Sequence, residues 1–158
     1  MDRRLFNRAG GGLFVGLAGL FAARPASAAE PTTAKQHRVA LQVSSDDPAV
    51  MTLVLNNATN VAAYYRERNQ DVQIEIVAFG PGYLMLRDIS PVKERISTMR
   101  QQLPFVVFSA CQNSRRGVAT RENKKPEEIA QLSEATDVPA GVVRLSELQE
   151  DGWSYVRT

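Results

Sequence analysis

The chain has 158 residues, with 19 basic and 17 acidic side chains, a net charge of +2, one cysteine and one histidine. That length accommodates a single domain with a modest core. The small charge excess gives no basis for nucleic-acid or membrane-surface binding, and a lone cysteine excludes an internal disulfide.

Residues 1–28 have the three regions of an export signal in order. Arg3-Arg4-Leu5-Phe6 is a twin-arginine start, a glycine-rich apolar run follows from Ala9 to Ala23, and Ala26-Ser27-Ala28 is a small-residue cleavage site. The apolar run is 15 residues long, short of the roughly 20 that a bilayer span needs. Cleavage after Ala28 removes four basic residues and one acidic one, leaving 15 and 16 and a net charge of −1. The predicted destination is the bacterial periplasm, an oxidising compartment, with no stable membrane span after cleavage. Residues 29–37 then form a flexible lead-in. His37 has no Cys or acidic partner at ligand spacing and is expected to be an ordinary strand-edge residue.

Arg38 to Ser44 alternates, with Val39, Leu41 and Val43 on one face, and predicts the first strand. Asp47 as N-cap and Pro48 at the first helical position start a helix that runs to about Arg68. Val54, Ala58, Val61, Ala62 and Tyr65 mark its core face. Val72 to Phe79 predicts a second strand, increasingly apolar along its length. Gly80-Pro81-Gly82 follows at once, where glycine permits positive φ and close approach of backbone to a bound group. Tyr83-Leu84-Met85-Leu86 is an apolar run outside any clear element; it is expected to line a pocket, pack on the sheet or meet a partner subunit. Ser90-Pro91 opens the next helix, with Val92, Ile96, Met99 and Leu103 as its core stripe, and Pro104 ends it.

Phe105-Val106-Val107-Phe108 reads as a strand buried on both faces. It breaks on Ser109-Ala110-Cys111-Gln112-Asn113, which puts the only cysteine at the carboxyl end of a central strand, where open α/β sheets bind ligands. Asn113 or Ser114 is placed to cap a short helix after it. Pro126 predicts a second short helix through Leu132, and Ala140 to Leu145 a fourth strand. Ser146 to Asp151 reads as a last helical turn or two, stopped by Gly152, and Trp153 to Val156 as a terminal strand or docked tail. Strands and helices that alternate with short connections predict a parallel sheet with right-handed crossovers and helices on both faces.

Four segments together resemble the DsrE/DsrF-like family: Val-Ala-Phe-Gly-Pro-Gly (77–82), Phe-Ser-Ala-Cys-Gln-Asn (108–113), Val-Pro-Ala-Gly-Val-Val-Arg-Leu (138–145) and Leu-Gln-Glu-Asp-Gly-Trp-Ser-Tyr (148–155). The resemblance covers 38–158 as one domain. It implies a three-layer α/β/α domain with a mainly parallel five-stranded sheet, and assembly as a homo-oligomer, a trimer or hexamer. It also implies that Cys111 occupies the position that carries sulfur as a persulfide in sulfur-relay members.

The residues themselves suit that chemistry. A thiolate, not a thiol, attacks sulfane sulfur. Cys111 precedes a helix N-terminus, whose free N–H groups favour an anion. Arg115 and Arg116 follow within one turn, and with Gly80, Gly82 and Asn113 they are the candidate contacts for thiosulfate, polysulfide or a persulfide. The expected function is a periplasmic sulfur carrier or sulfurtransferase-type protein, with a further protein as transfer partner. The alternative is a non-catalytic oligomeric module that binds a small ligand or serves assembly. No metal spacing, GxSxG or phosphate loop is present, so no metal or cofactor is expected.

Overall fold

The computed structural model describes residues 36–158; the expected signal and most of the lead-in lie outside the described residues. β1 (His37–Val43) leads through Asp47, whose carboxylate accepts the Ala49 N–H at 2.8 Å, into α1 (Pro48–Arg66). α1 buries Met51, Val54, Leu55, Ala58 and Ala62, each large side chain contributing about 1.5–3 kcal/mol by leaving water. β2 (Val72–Ala78), α2 (Lys93–Gln102), β3 (Val106–Cys111), α3 (Gln112–Arg121), β4 (Ala135–Val138), α4 (Gly141–Glu150) and β5 (Ser154–Arg157) follow.

All five strands run parallel in the order β4-β3-β2-β1-β5. The chain steps one way across the sheet from β1 to β4, and right-handed crossovers therefore set α1, α2 and α3 on one face. The return from β4 to β5 runs the other way and puts α4 on the opposite face. Strand alternation serves both layers. Val39, Leu41, Ile74, Ile76, Val106, Phe108 and Ala110 join the core under α1–α3. Ala40 and Val77 join Leu145 and Leu148 under α4, with Phe79 and Trp153 alongside. The domain is thus the expected three-layer α/β/α fold, with three helices on one face and one on the other.

Four segments fold differently from their sequence patterns. Residues 140–145 are not a strand: β4 lies earlier, at Ala135–Val138, and Val142 and Val143 are exposed on α4. The β-branched pair mimics a strand, but the stripe that buries is Gly141, Leu145 and Leu148 at i, i+4 and i+7. Tyr83–Leu86 belongs to a 3-10 helix, Gly80–Leu86, and Tyr83, Met85 and Leu86 are fully buried in the chain's own core. Pro126 starts only a 3-10 turn, Pro126–Glu128, because the following Ile129 turns inward and is fully buried. Ser90-Pro91 sits in a turn just ahead of α2, where the Ser90 hydroxyl accepts the Val92 N–H at 3.3 Å.

Candidate functional site

β3 is an inner strand between β2 and β4, and its last residue, Cys111, is also the N-cap of α3. The cap is neither Asn113 nor Ser114: the Cys111 sulfur accepts the Ser114 N–H at 3.4 Å. Cys111 stands opposite Val138 at the end of β4. From there Pro139, whose carbonyl accepts the Asn113 N–H at 3.3 Å, and Ala140 lead directly into α4, so its first turn starts beside Cys111 and the Gly141 N–H lowers the thiol pKa. This approach requires glycine, since a Cβ at 141 would lie 2.7 Å from the Phe79 Cβ. α4 has no side-chain cap of its own. The sulfur therefore caps α3 and lies beside the N-terminus of α4, both ten-residue helices.

The consequence is electrostatic. Burial pushes the Cys111 thiol up, but hydrogen bonds from the Ser114 side chain and from the Gly141, Ser114 and Asn113 backbone N–H groups more than offset it, and the thiol ends below its ordinary value. The sulfur thus combines burial, 3 % exposed, with a depressed thiol pKa.

The sequence-derived site residues are placed unevenly. Gly80 has φ +57° and donates its N–H to the Ser114 hydroxyl at 2.7 Å, so it reaches the sulfur through Ser114. Gly82 is buried, and a Cβ there would collide with the Val43 carbonyl; its role is to let the 3-10 helix lie against β1. Asn113 donates its N–H to the Pro139 carbonyl at 3.3 Å and also helps lower the thiol pKa. Its side chain accepts from Arg116, and both are exposed. Arg115 turns inward and donates to the Ile129 carbonyl at 2.8 Å. Segments 77–82, 108–113 and 138–145 thus meet around Cys111, while 148–155 forms the far end of α4 and the start of β5.

Tyr83 is a neighbour that the sequence reading missed. Its hydroxyl donates to Gln131 Oε1 at 2.9 Å, and Gln131 donates to Asp137 at 2.7 Å. Burial raises the phenol above its usual value, against the pull of Arg115, while Asp137 raises it, Arg87 lowers it and Cys111 raises it again. An apolar run conceals such a residue, because only the fold shows where its hydroxyl lies. A cleft of about 700 Å³ opens beside Ser114, lined by Asp46, Gly80, Leu84, Arg87, Asn113 and Arg121 among others. Among the described residues, no group of three or more His, Cys, Asp or Glu side chains is placed to hold a metal ion. Among them also, no helix is long and apolar enough to cross a membrane.

Fold and site together define a parallel α/β/α domain with a cysteine at the carboxyl end of an inner strand. No family model and no curated protein matches the chain. A solved structure does: MTH1491, a protein of unknown function from Methanobacterium thermoautotrophicum, is 28% identical with a TM-score of 0.65, over 77% of this chain and 99% of that one.

Proposed function

We propose that the protein is a periplasmic sulfur carrier of the sulfurtransferase type that accepts sulfane sulfur on Cys111. One observation carries the reading: the Cys111 sulfur caps α3 by accepting the Ser114 N–H at 3.4 Å, and its thiol pKa is lowered in spite of burial. With thiosulfate as donor, the thiolate attacks the outer sulfur. The new S–S bond forms as the bond to the sulfonate sulfur breaks, and sulfite leaves with that electron pair. The persulfide that remains carries one negative charge, which the same N–H groups favour. The resemblance to the DsrE/DsrF-like family supports the reading, as does the absence of any second cysteine that would capture the adduct as an intramolecular disulfide.

The test is the intact mass of the mature protein after thiosulfate, tetrathionate or polysulfide. The wild type should gain sulfur that reductant removes, and Cys111→Ser should gain none. Equal uptake by both, or uptake by neither, rejects the reading.

Export by the twin-arginine route and assembly as a trimer or hexamer belong to the same proposal. Lys at both Arg3 and Arg4 should hold the precursor in the cytoplasm. Sedimentation at micromolar concentration should give an oligomer, although its interface is not the Tyr83–Leu86 run, whose burial lies within the chain. A second reading, an oligomeric binding or assembly module without turnover, is favoured by the contrast between the buried sulfur and the open cleft beside Ser114. It would be retained if Cys111 takes up no sulfur.

A further inference from the structure

On the α4 face of the sheet lies a polar cluster that no part of the sulfur chemistry uses. Glu75 on β2 is buried, with its side chain 4 % exposed. Its carboxylate accepts the Ser109 hydroxyl at 2.6 Å and both forks of Arg144, Nε at 2.7 Å and Nη2 at 2.8 Å. Every strong interaction of the carboxylate is thus with β3 or α4. Ser109 precedes Cys111 by two residues on β3, so both side chains face the same side of the sheet. Arg144 lies in the first turn of α4, where its N–H bonds the Ala140 carbonyl at 3.0 Å, and that turn opens two residues after the Pro139 carbonyl that accepts the Asn113 N–H at 3.3 Å.

Beyond the close approach of Gly141 to Phe79, few apolar side chains hold this end of α4. The helix buries Gly141, Leu145 and Leu148 and exposes Val142 and Val143. A cleft of about 270 Å³, lined by Glu75, Ser109 and Arg144 among others, lies beside it over β3 and β4. A two-pronged guanidinium–carboxylate contact fixes direction as well as distance, and a buried ion pair of this kind serves position better than it serves stability.

We propose that Glu75, held by Ser109, anchors Arg144 as a positioning pair that fixes where the first turn of α4 meets the Cys111 sulfur. The inference rests on the sulfur-accepting reading for its purpose, but its test does not, because alkylation by iodoacetamide reads thiol acidity whether or not the protein carries sulfur. Tyr83 in the 3-10 helix senses the sulfur together with Arg115 on α3, Asp137 on β4 and Arg87, and Glu147 on α4 lies 3.7 Å from Arg144. None of them is changed in the test.

The test separates positioning from simple charge by sign. Glu75→Gln removes a negative charge and leaves Arg144 positive, so through-space electrostatics alone would make the thiol more acidic. Loss of the anchor lets the α4 N–H retreat and makes it less acidic. We expect the alkylation midpoint to move to higher pH and the rate at pH near 7 to fall about threefold or more. Ser109→Ala, which changes no charge, should move both in the same direction by less, and it decides the matter if Glu75→Gln does not fold. Midpoints that stay in place or move to lower pH in the folded variants overturn the proposal. Loss of sulfur uptake with an unchanged alkylation profile overturns it as well, without touching the role of Cys111.

Discussion

The backbone N–H of Gly80 donates to the hydroxyl oxygen of Ser114 at 2.7 Å. Ser114 in turn lowers the Cys111 thiol pKa, through its side chain as well as through the N–H that reaches the sulfur at 3.4 Å. The glycine turn after β2 therefore acts on the thiol at one remove.

Ser114→Ala should break this relay. The sulfur keeps the Ser114 N–H but loses the hydroxyl, and the Gly80 N–H loses its acceptor. The alkylation midpoint should rise, with a stability loss of about 1 kcal/mol in urea.

Cys111→Ser should show a pH-dependent cost. The folded thiol pKa is depressed, so the thiolate stabilises the fold. That stabilisation is fully present above the unfolded thiol value of about 8.5 and is lost as pH falls through the folded value. Denaturation should therefore give a larger gap between wild type and mutant at about pH 9.5 than at about pH 6. A gap that shrinks with rising pH would contradict the stabilised thiolate.

Gly141→Ala should be costly for a reason unrelated to helix propensity. Its Cβ would meet the Phe79 Cβ at 2.7 Å, and overpacking of this kind costs about 1–3 kcal/mol. Relief requires α4 to move off the sulfur, so a lower melting temperature and a higher alkylation midpoint should appear together.

Tyr83→Phe should remove the most slowly ionising phenol. Burial raises Tyr83, so it stays protonated after ordinary tyrosines ionise at pH about 10. An ultraviolet alkaline titration of the variant should lack that late component, and stability should fall by about 1–2 kcal/mol because Gln131 loses its buried donor.

The layered fold was legible in the sequence because Asp47-Pro48, the β2 alternation and the Ile96–Met99 stripe state their elements locally. The place of Cys111 at a strand end was legible for the same reason. Val142-Val143-Arg144-Leu145 misled because two adjacent β-branched residues suit a strand, while the register that buries Leu145 and Leu148 shows only against the sheet. Gly141 and Ser114 escaped notice as sulfur partners because their contacts depend on how β3, β4 and the turn after β2 are set side by side. Glu75 and Arg144 are 69 positions apart, and nothing local to either marks the other as its partner.

Strand β5 pairs with β1, Leu41 opposite Val156, and α4 spans the gap from β4 to that far edge. A chain folded only through α3 holds Cys111 without Gly141, so its thiol has only the donors of α3. The remaining lowering of its pKa arrives when α4 lies down on the sheet and β5 fastens the far end. The acidity of this thiol is therefore a readout of whether the α4 layer has docked, which makes alkylation rate a probe of the last step of folding.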